Sequence, residues 1–498
     1  MIRSKNINSH VSRCAWRSRA ALICRLLVAT LMFGSLTVQA QYDHVEQLPD
    51  LGSQAAIFLS EADAAKLGRS FIRQSRYQQP YVSDPELVDY INRLGNKLLE
   101  ASKDAGRPYR FYLIDNNVIN AFAVPGGFIA LHTAILTKSE TESELASVIA
   151  HEISHVSQRH IARKLENSRY DSIIALGALL AAVAAGGGDA AQAALGVANA
   201  SIIDRQLSYS RAFEAEADSL GIRLLSRAGF DPAAMPRFFK RLLDESRINE
   251  SHAPEFLRSH PLTINRIAES SARVKAYPAQ QEPDQSEFLL MQAKAIAYYA
   301  SDKKQALKLF QSKIDEGDNS LPTHFGYALA LTRNGEYQAA RQKFSELLQQ
   351  YPGHASLRLA QADNELEANN INPGLALLEN LYKDETAKGN HLYDIYYANA
   401  LVLTENHKTA IPIIRSALAN DAEEPYFHIL LSRAYAETGD EMRSFFERGE
   451  YHYLSGNYNF AVTQFKRAEK LAESTYDKAR LEARIKDVET ELAELKKL

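Results

Sequence analysis

Two histidines four residues apart, with a glutamate beside the first, stand at His151-Glu152-Ile153-Ser154-His155. On an α-helix, residues i and i+4 lie one above the other. Both imidazoles then project from one face at a spacing that lets them grip one zinc ion, and Glu152 is placed to take a proton from a water held beside it. A catalytic zinc takes three protein ligands and leaves one place for solvent. The pattern that adds a nearby Gly and a third His fails here, because Gln158 and Ile161 hold those positions. His160 lies five residues past His155, about 140° around a continuous helix, and reads as a surface histidine. The other pattern takes a carboxylate from a later helix, and Tyr209 to Asp218 supplies it. Glu214 and Asp218 share a face. Glu214 is the candidate third ligand, Asp218 the acceptor for the outer N–H of a ligand histidine, and Glu216 falls on the opposite, solvated side.

The motif needs elements to position it. Thr141-Glu142-Ser143-Glu144 makes a capping box at the start of the helix. Ala146 to Ala150 is mostly apolar, so the motif is half buried, where imidazoles and carboxylates need partners. The Glu214 helix ends at Gly229, with Asp231-Pro232 opening the next. Upstream, residues 60–74 and 85–101 read as amphipathic helices. Asp84 caps the second, and Leu87, Tyr90, Ile91, Leu94 and Leu98 form its apolar face. Between them and the motif, Arg110 to Ile114 and Phe128 to Leu131 read as β-runs about a Pro125-Gly126-Gly127 corner. Phe128, Ile129, Ala130 and Leu131 are the candidate substrate-binding residues, an edge strand that pairs with an extended peptide; an ordinary hairpin fits the same residues equally well. His132 reads as a strand-end histidine without a role.

His151 to His155 followed by Glu214-Ala-Glu-Ala-Asp218 resembles the HExxH…ExxxD signature of the HtpX and CAAX-prenyl-protease family of gluzincin metallopeptidases. Asn120 to Leu131 is similar to the segment before that family's zinc helix, and Ser259-His260-Pro261 with Arg266 resembles its late HP…R element. The resemblance covers residues 55–275. It implies one Zn2+ per subunit on His151, His155 and Glu214, with Asp218 behind them and Glu152 as general base. His260 and Arg266 become the candidates for stabilising the negatively charged intermediate. His260 has a second reading, in which its imidazole takes the solvent place on the metal and shuts the site.

The chain has 498 residues, 46% of them hydrophobic and 24% charged, which is a globular composition long enough for two or three domains. Residues 1–40 read as an export signal: six basic residues, a short apolar core from Leu26 to Leu36, and a Val38-Gln39-Ala40 cleavage site. An uncleaved anchor is the other reading of that segment. Without it, 51 basic residues face 61 acidic ones, a formal net charge of −10, which argues against nucleic acid as a partner. Both cysteines, Cys14 and Cys24, lie inside the signal. Some relatives carry a cysteine pair that ties protease to repeats, so the sequence leaves open what does that work here.

Residues 277–286 are a linker by composition. Beyond it, small-then-apolar pairs recur at Ala306/Phe310, Ala340/Phe344, Gly374/Leu378, Ala410/Ile414 and Ala461/Phe465, at intervals of 34, 34, 36 and 51 residues. The copy with Gly335, Tyr337, Ala340, Phe344, Leu347 and Pro352 matches the tetratricopeptide pattern, which stacks helix hairpins into a superhelix with a concave binding surface. Leu481, Ile485, Val488, Leu492 and Leu495 mark a capping helix. The apolar stretch 171–200 is too short and too broken by Gly186-Gly187-Gly188 to span a bilayer. It reads as a buried helix pair, a lid, or a point of peripheral membrane contact.

The expected architecture is α+β and mostly helical: a signal peptide (1–40), a gluzincin-type zinc metallopeptidase domain (41–276), a linker (277–286) and an all-α tetratricopeptide superhelix (287–498). With its repeats, the whole chain resembles the periplasmic β-barrel assembly-enhancing metallopeptidases. That implies protein substrates among outer-membrane β-barrel precursors, and repeats that engage the barrel assembly machinery. The competing class is a non-proteolytic periplasmic scaffold or chaperone with a structural zinc.

Overall fold

The computed structural model describes residues 59–166, 211–248, 256–384 and 391–495. The expected signal peptide, the lead-in to residue 58 and the 171–200 segment lie outside the described residues. Helix α1 (Glu61–Gln78) starts where Ser60 Oγ accepts the Asp63 amide at 3.1 Å. Helix α2 (Pro85–Glu100) starts on Asp84, with proline at its first turn. The apolar face expected for α2 is buried throughout.

Three strands follow: β1 (Arg110–Ile114), β2 (Ala121–Val124) and β3 (Phe128–His132), in the order β1-β3-β2. β3 runs parallel to β1 and antiparallel to β2. This corrects the edge-strand expectation. Phe128, Ile129, Ala130 and Leu131 are the central strand, bonded on both sides and buried, so they have no edge to offer a peptide. The Pro125-Gly126-Gly127 turn joins β3 to β2, a run the β-pattern passed over. The outer edge of β1 is closed as well. The Asn92 amide both accepts from Phe111 N (3.2 Å) and donates to Phe111 O (3.0 Å), and Val82 N donates to Leu113 O (2.9 Å). The remaining edge belongs to β2.

Helices α3 (Thr133–Lys138), α4 (Glu142–Ser157), α5 (His160–Glu166), α6 (Arg211–Arg227), α7 (Ala234–Ile248), α8 (Phe256–Ser259) and α9 (Ile264–Val274) complete the first half. Helix α4, with the motif, is wedged between β2 and α6. Gly221 on α6 permits the crossing: a Cβ there would sit 2.7 Å from Met235 Cε and 3.4 Å from His151 N.

The second half is helical: α10 (Ser286–Tyr299), α11 (Lys303–Asp315), α12 (Leu321–Asn334), α13 (Tyr337–Gln350), α14 (Ala355–Glu367), α15 (Ile371–Lys383), α16 (His391–Leu403), α17 (His407–Asn420), α18 (Pro425–Glu437), α19 (Glu441–Leu454), α20 (Tyr458–Leu471) and α21 (Thr475–Leu495). Successive helices pack as hairpins. The small-apolar pairs sit on α11, α13, α15, α17 and α20, and all are buried where they meet the neighbouring helix. The 51-residue interval is one repeat and a half, so the array gains a single helix before its last pair. Helix α21 buries Leu481, Ile485 and Val488 against α20 and closes the end. Among the described residues, no helix is long and apolar enough to cross a membrane.

The halves are joined without cysteines. One apolar core runs from α2, α4 and α7 into α10, α12 and α13. Lys294 of α10 is buried and pairs with Asp84 (2.8 Å) and Glu86 (2.5 Å) of the first half. At the far end, α1 lies on α19 and α21, where Arg73 pairs with Glu491 at 2.5 Å and covers the Tyr453 ring. Gly456, at φ +73°, lets the backbones meet there; a Cβ would stand 2.2 Å from Arg73 O. Residues 277–285 form no free tether: Gln280 donates to Ser226 O (2.8 Å), and Gln285 accepts from Glu142 N (2.8 Å).

Candidate metal centre

Thr141 caps α4, its hydroxyl accepting the Glu144 amide at 3.3 Å. The Glu144 carboxylate turns to the Glu140 amide (2.7 Å) and to Arg241 (2.5 Å). From that start, α4 carries His151, Glu152 and His155, all nearly inaccessible to solvent.

Helix α6 brings Glu214 across α4, and His260 follows directly on the short α8. His155 Nε2 lies 3.0 Å from His151 Nε2, and His260 Nδ1 lies 3.3 Å from His151 Nε2. Glu214 reaches His151 at 3.4 Å, His155 at 3.5 Å and His260 at 3.2 Å. The four potential donor atoms all fall within 4.8 Å of one another. Ring nitrogens turned toward each other at such distances bring their lone pairs together, which a shared cation relieves. This donor set suits a divalent metal that favours nitrogen and carboxylate ligands.

Glu152 stands beside the cluster, its Oε1 3.4 Å from His260 Nε2. Both its carboxylate oxygens are buried, with the Ala123 backbone of β2 on the carboxylate's other side. Burial raises its pKa above the ordinary carboxylate value. Burial acts on Glu214 in the same sense, but His260, His151 and His155 outweigh it and hold that carboxyl well below the usual range.

Behind His151, Asp218 Oδ1 lies 3.0 Å from the ring's Nδ1, out of line for a straight hydrogen bond. Arg266 clamps Asp218 with Nε (2.9 Å) and Nη2 (2.8 Å), and its Nη1 reaches Glu214 at 2.8 Å and Pro261 O at 2.9 Å. The guanidinium expected at the reaction centre is therefore spent on carboxylates and a carbonyl.

The structure corrects two further expectations. His160 is not on the surface: it is fully buried, with Nδ1 2.8 Å from His155 Nδ1. The 140° offset holds only on one continuous helix, but α4 ends at Ser157 and Arg159 turns the chain at φ +52°, bringing His160 back against the motif. Glu216 is only half exposed; it accepts from His160 Nε2 at 3.3 Å and pairs with Arg163 at 2.9 Å. His132 ends β3, with Nδ1 2.8 Å from Val118 O.

An apolar cavity of about 160 Å3 opens between β2, the β2–β3 turn, α1 and the end of α4. Ala123, Val124, His155 and Ile161 are among its walls, and Glu61 bridges Arg107 (3.0 Å) and Arg159 (3.1 Å) along them.

Residues 85–274 match peptidase family M48. The chain is 32% identical over 466 residues to the beta-barrel assembly-enhancing protease of Escherichia coli K12, covering 92% of this chain and 94% of that one. Its identity to the beta-barrel assembly-enhancing protease of Yersinia pestis is 31% over 475 residues, covering 93% and 97%. Metalloprotease LoiP of Escherichia coli is 28% identical over 195 residues, covering 38% of this chain and 70% of that protein.

Proposed function

Since the chain belongs to the M48 metallopeptidases, in the group of beta-barrel assembly-enhancing proteases, we propose that it is a zinc endopeptidase of the bacterial periplasm. Its substrates are stalled outer-membrane β-barrel precursors, and its repeats hold it to the machinery that assembles them. The observation that carries the peptidase chemistry is the convergence of His151, His155, Glu214 and His260 beside a buried Glu152.

His151, His155 and Glu214 hold the metal. A zinc ion bound there supplies Lewis acidity for the scissile carbonyl and lowers the pKa of a water to about 7. Glu152, raised by burial, takes the proton from the attacking water and returns it to the leaving amine. Asp218 and Arg266 fix the His151 ring and the Glu214 carboxylate. Among the described residues the outer side of β2 pairs with no further strand, and it lies against the motif helix; it replaces β3 as the element that aligns an extended peptide by backbone bonds. The adjoining apolar cavity takes a substrate side chain.

Four converging donors favour a second reading of His260. A closed four-ligand set is the mark of a structural zinc, whereas a catalytic one keeps a position open. With a metal bound, His260 would be a fourth ligand in a resting state and would have to withdraw for catalysis. His260→Ala separates the roles: a rise in proteolysis identifies the plug, and complete loss identifies stabilisation of the intermediate. The test of the whole reading is metal content and casein cleavage of the full chain beside Glu152→Gln. That variant is expected to keep stoichiometric zinc and lose at least about 100-fold in rate. Unchanged cleavage would remove the hydrolase and leave the scaffold.

A further inference from the structure

The peptidase reading assigns no work to His160, yet this ring is fully buried within reach of a ligand histidine. For His155 to offer Nε2 to the cluster, its proton must sit on Nδ1, because a neutral imidazole has one bare nitrogen. That proton points at His160 Nδ1, 2.8 Å away. His160 then accepts on Nδ1 and carries its own proton on Nε2, which faces Glu216 Oε2 at 3.3 Å. Arg163 holds that carboxylate at 2.9 Å, and Phe213 stacks on the His160 ring at 4.6 Å and 13°. Along this path each proton has an acceptor within reach, and the path ends on the Glu216 carboxylate.

Resting on the metal-centre reading above, we propose that His160 is the positioning residue of the second ligand histidine. It accepts the His155 Nδ1 proton, is anchored in turn by Glu216 and Arg163, and so commits His155 Nε2 to the metal. His151 is braced directly by a carboxylate; His155 is braced through an intervening imidazole.

The full chain is prepared free of metal as wild type, His160→Phe, His160→Gln and Glu216→Ala, and zinc affinity is read by competition with a chromophoric chelator. Phe keeps the stack on Phe213 but removes the acceptor. Zinc affinity is expected to fall by about 10–100-fold, and kcat for casein to fall with KM unchanged. Gln restores an acceptor oxygen and recovers most of both. A His160→Phe chain that binds zinc within about twofold of wild type overturns the inference, as does a Gln variant no better than Phe. If His160→Phe does not fold, Glu216→Ala decides. This half-exposed change is expected to weaken zinc binding several-fold, and an unchanged affinity overturns the inference. A wild-type chain that takes up no zinc overturns the metal-centre reading and this inference together; a wild type that binds beside an equally tight His160→Phe overturns this one alone.

Discussion

The two histidines of α4 are held from behind in unlike ways. His151 faces a short, dry brace: Asp218 and Arg266, with side chains 3% and 6% exposed, meet in a bidentate fork. His155 faces a longer one, through His160 to Glu216 and Arg163, whose side chains are 35% and 37% exposed. Water decides what each brace is worth. A desolvated charge pair is expensive to break because the surviving charge has nowhere to go, while a solvated pair is screened and worth little by itself. The first brace therefore fastens the fold as well as the ring. The second depends on the buried imidazole at its root.

The largest effect that tests this contrast is the loss of Arg266. Arg266→Ala strands Asp218 and Glu214 in the dry interior and is expected to cost about 3–5 kcal/mol of stability, read by urea unfolding of the metal-free chain. Next comes the double-mutant cycle on Glu216 and Arg163, with an expected coupling below about 1 kcal/mol. A coupling of about 3 kcal/mol or more there would erase the distinction.

A separate effect lies where the repeats meet the first half, again in partly dry surroundings. Burial raises the Asp363 carboxyl to about 7; Lys294 opposes this, and Asp84 and Glu86 add to it. Its folded value exceeds its ordinary one of 3.8. The stability it contributes is therefore complete below about pH 4 and declines as pH rises to about 7. Melting temperature of the metal-free chain followed across that window should fall less steeply in Asp363→Asn, and parallel curves would show that this carboxyl ionises freely.

The candidate ligands were legible because helical periodicity is local: i, i+4 on α4 and on α6 needs no knowledge of the rest of the chain. The α+β order, the capped α2 and the 34-residue repeat followed from similar short-range patterns. Three things escaped for definite reasons. His160 escaped because Gln158-Arg159 carries neither glycine nor proline, yet Arg159 adopts a positive φ and resets the helical phase. The strand order escaped because β2 is only four residues long; a Pro-Gly-Gly turn pairs the runs that directly flank it, which pointed to Ala121–Val124. The middle repeats lack the marker glycine because Asn369 and Glu405 take the left-handed turn that Gly335, Gly439 and Gly456 take elsewhere. The contacts of Lys294 and Arg73 across the halves join residues far apart in sequence and leave no pattern to read.

The apolar core shared by α4, α10 and α12 has a practical outcome for anyone dissecting this chain. Severing it within 277–286 would not release two modules. It would uncover a raw hydrophobic wound on each fragment, so a truncated repeat array that clumps or grips chaperones would report the cut rather than any natural affinity.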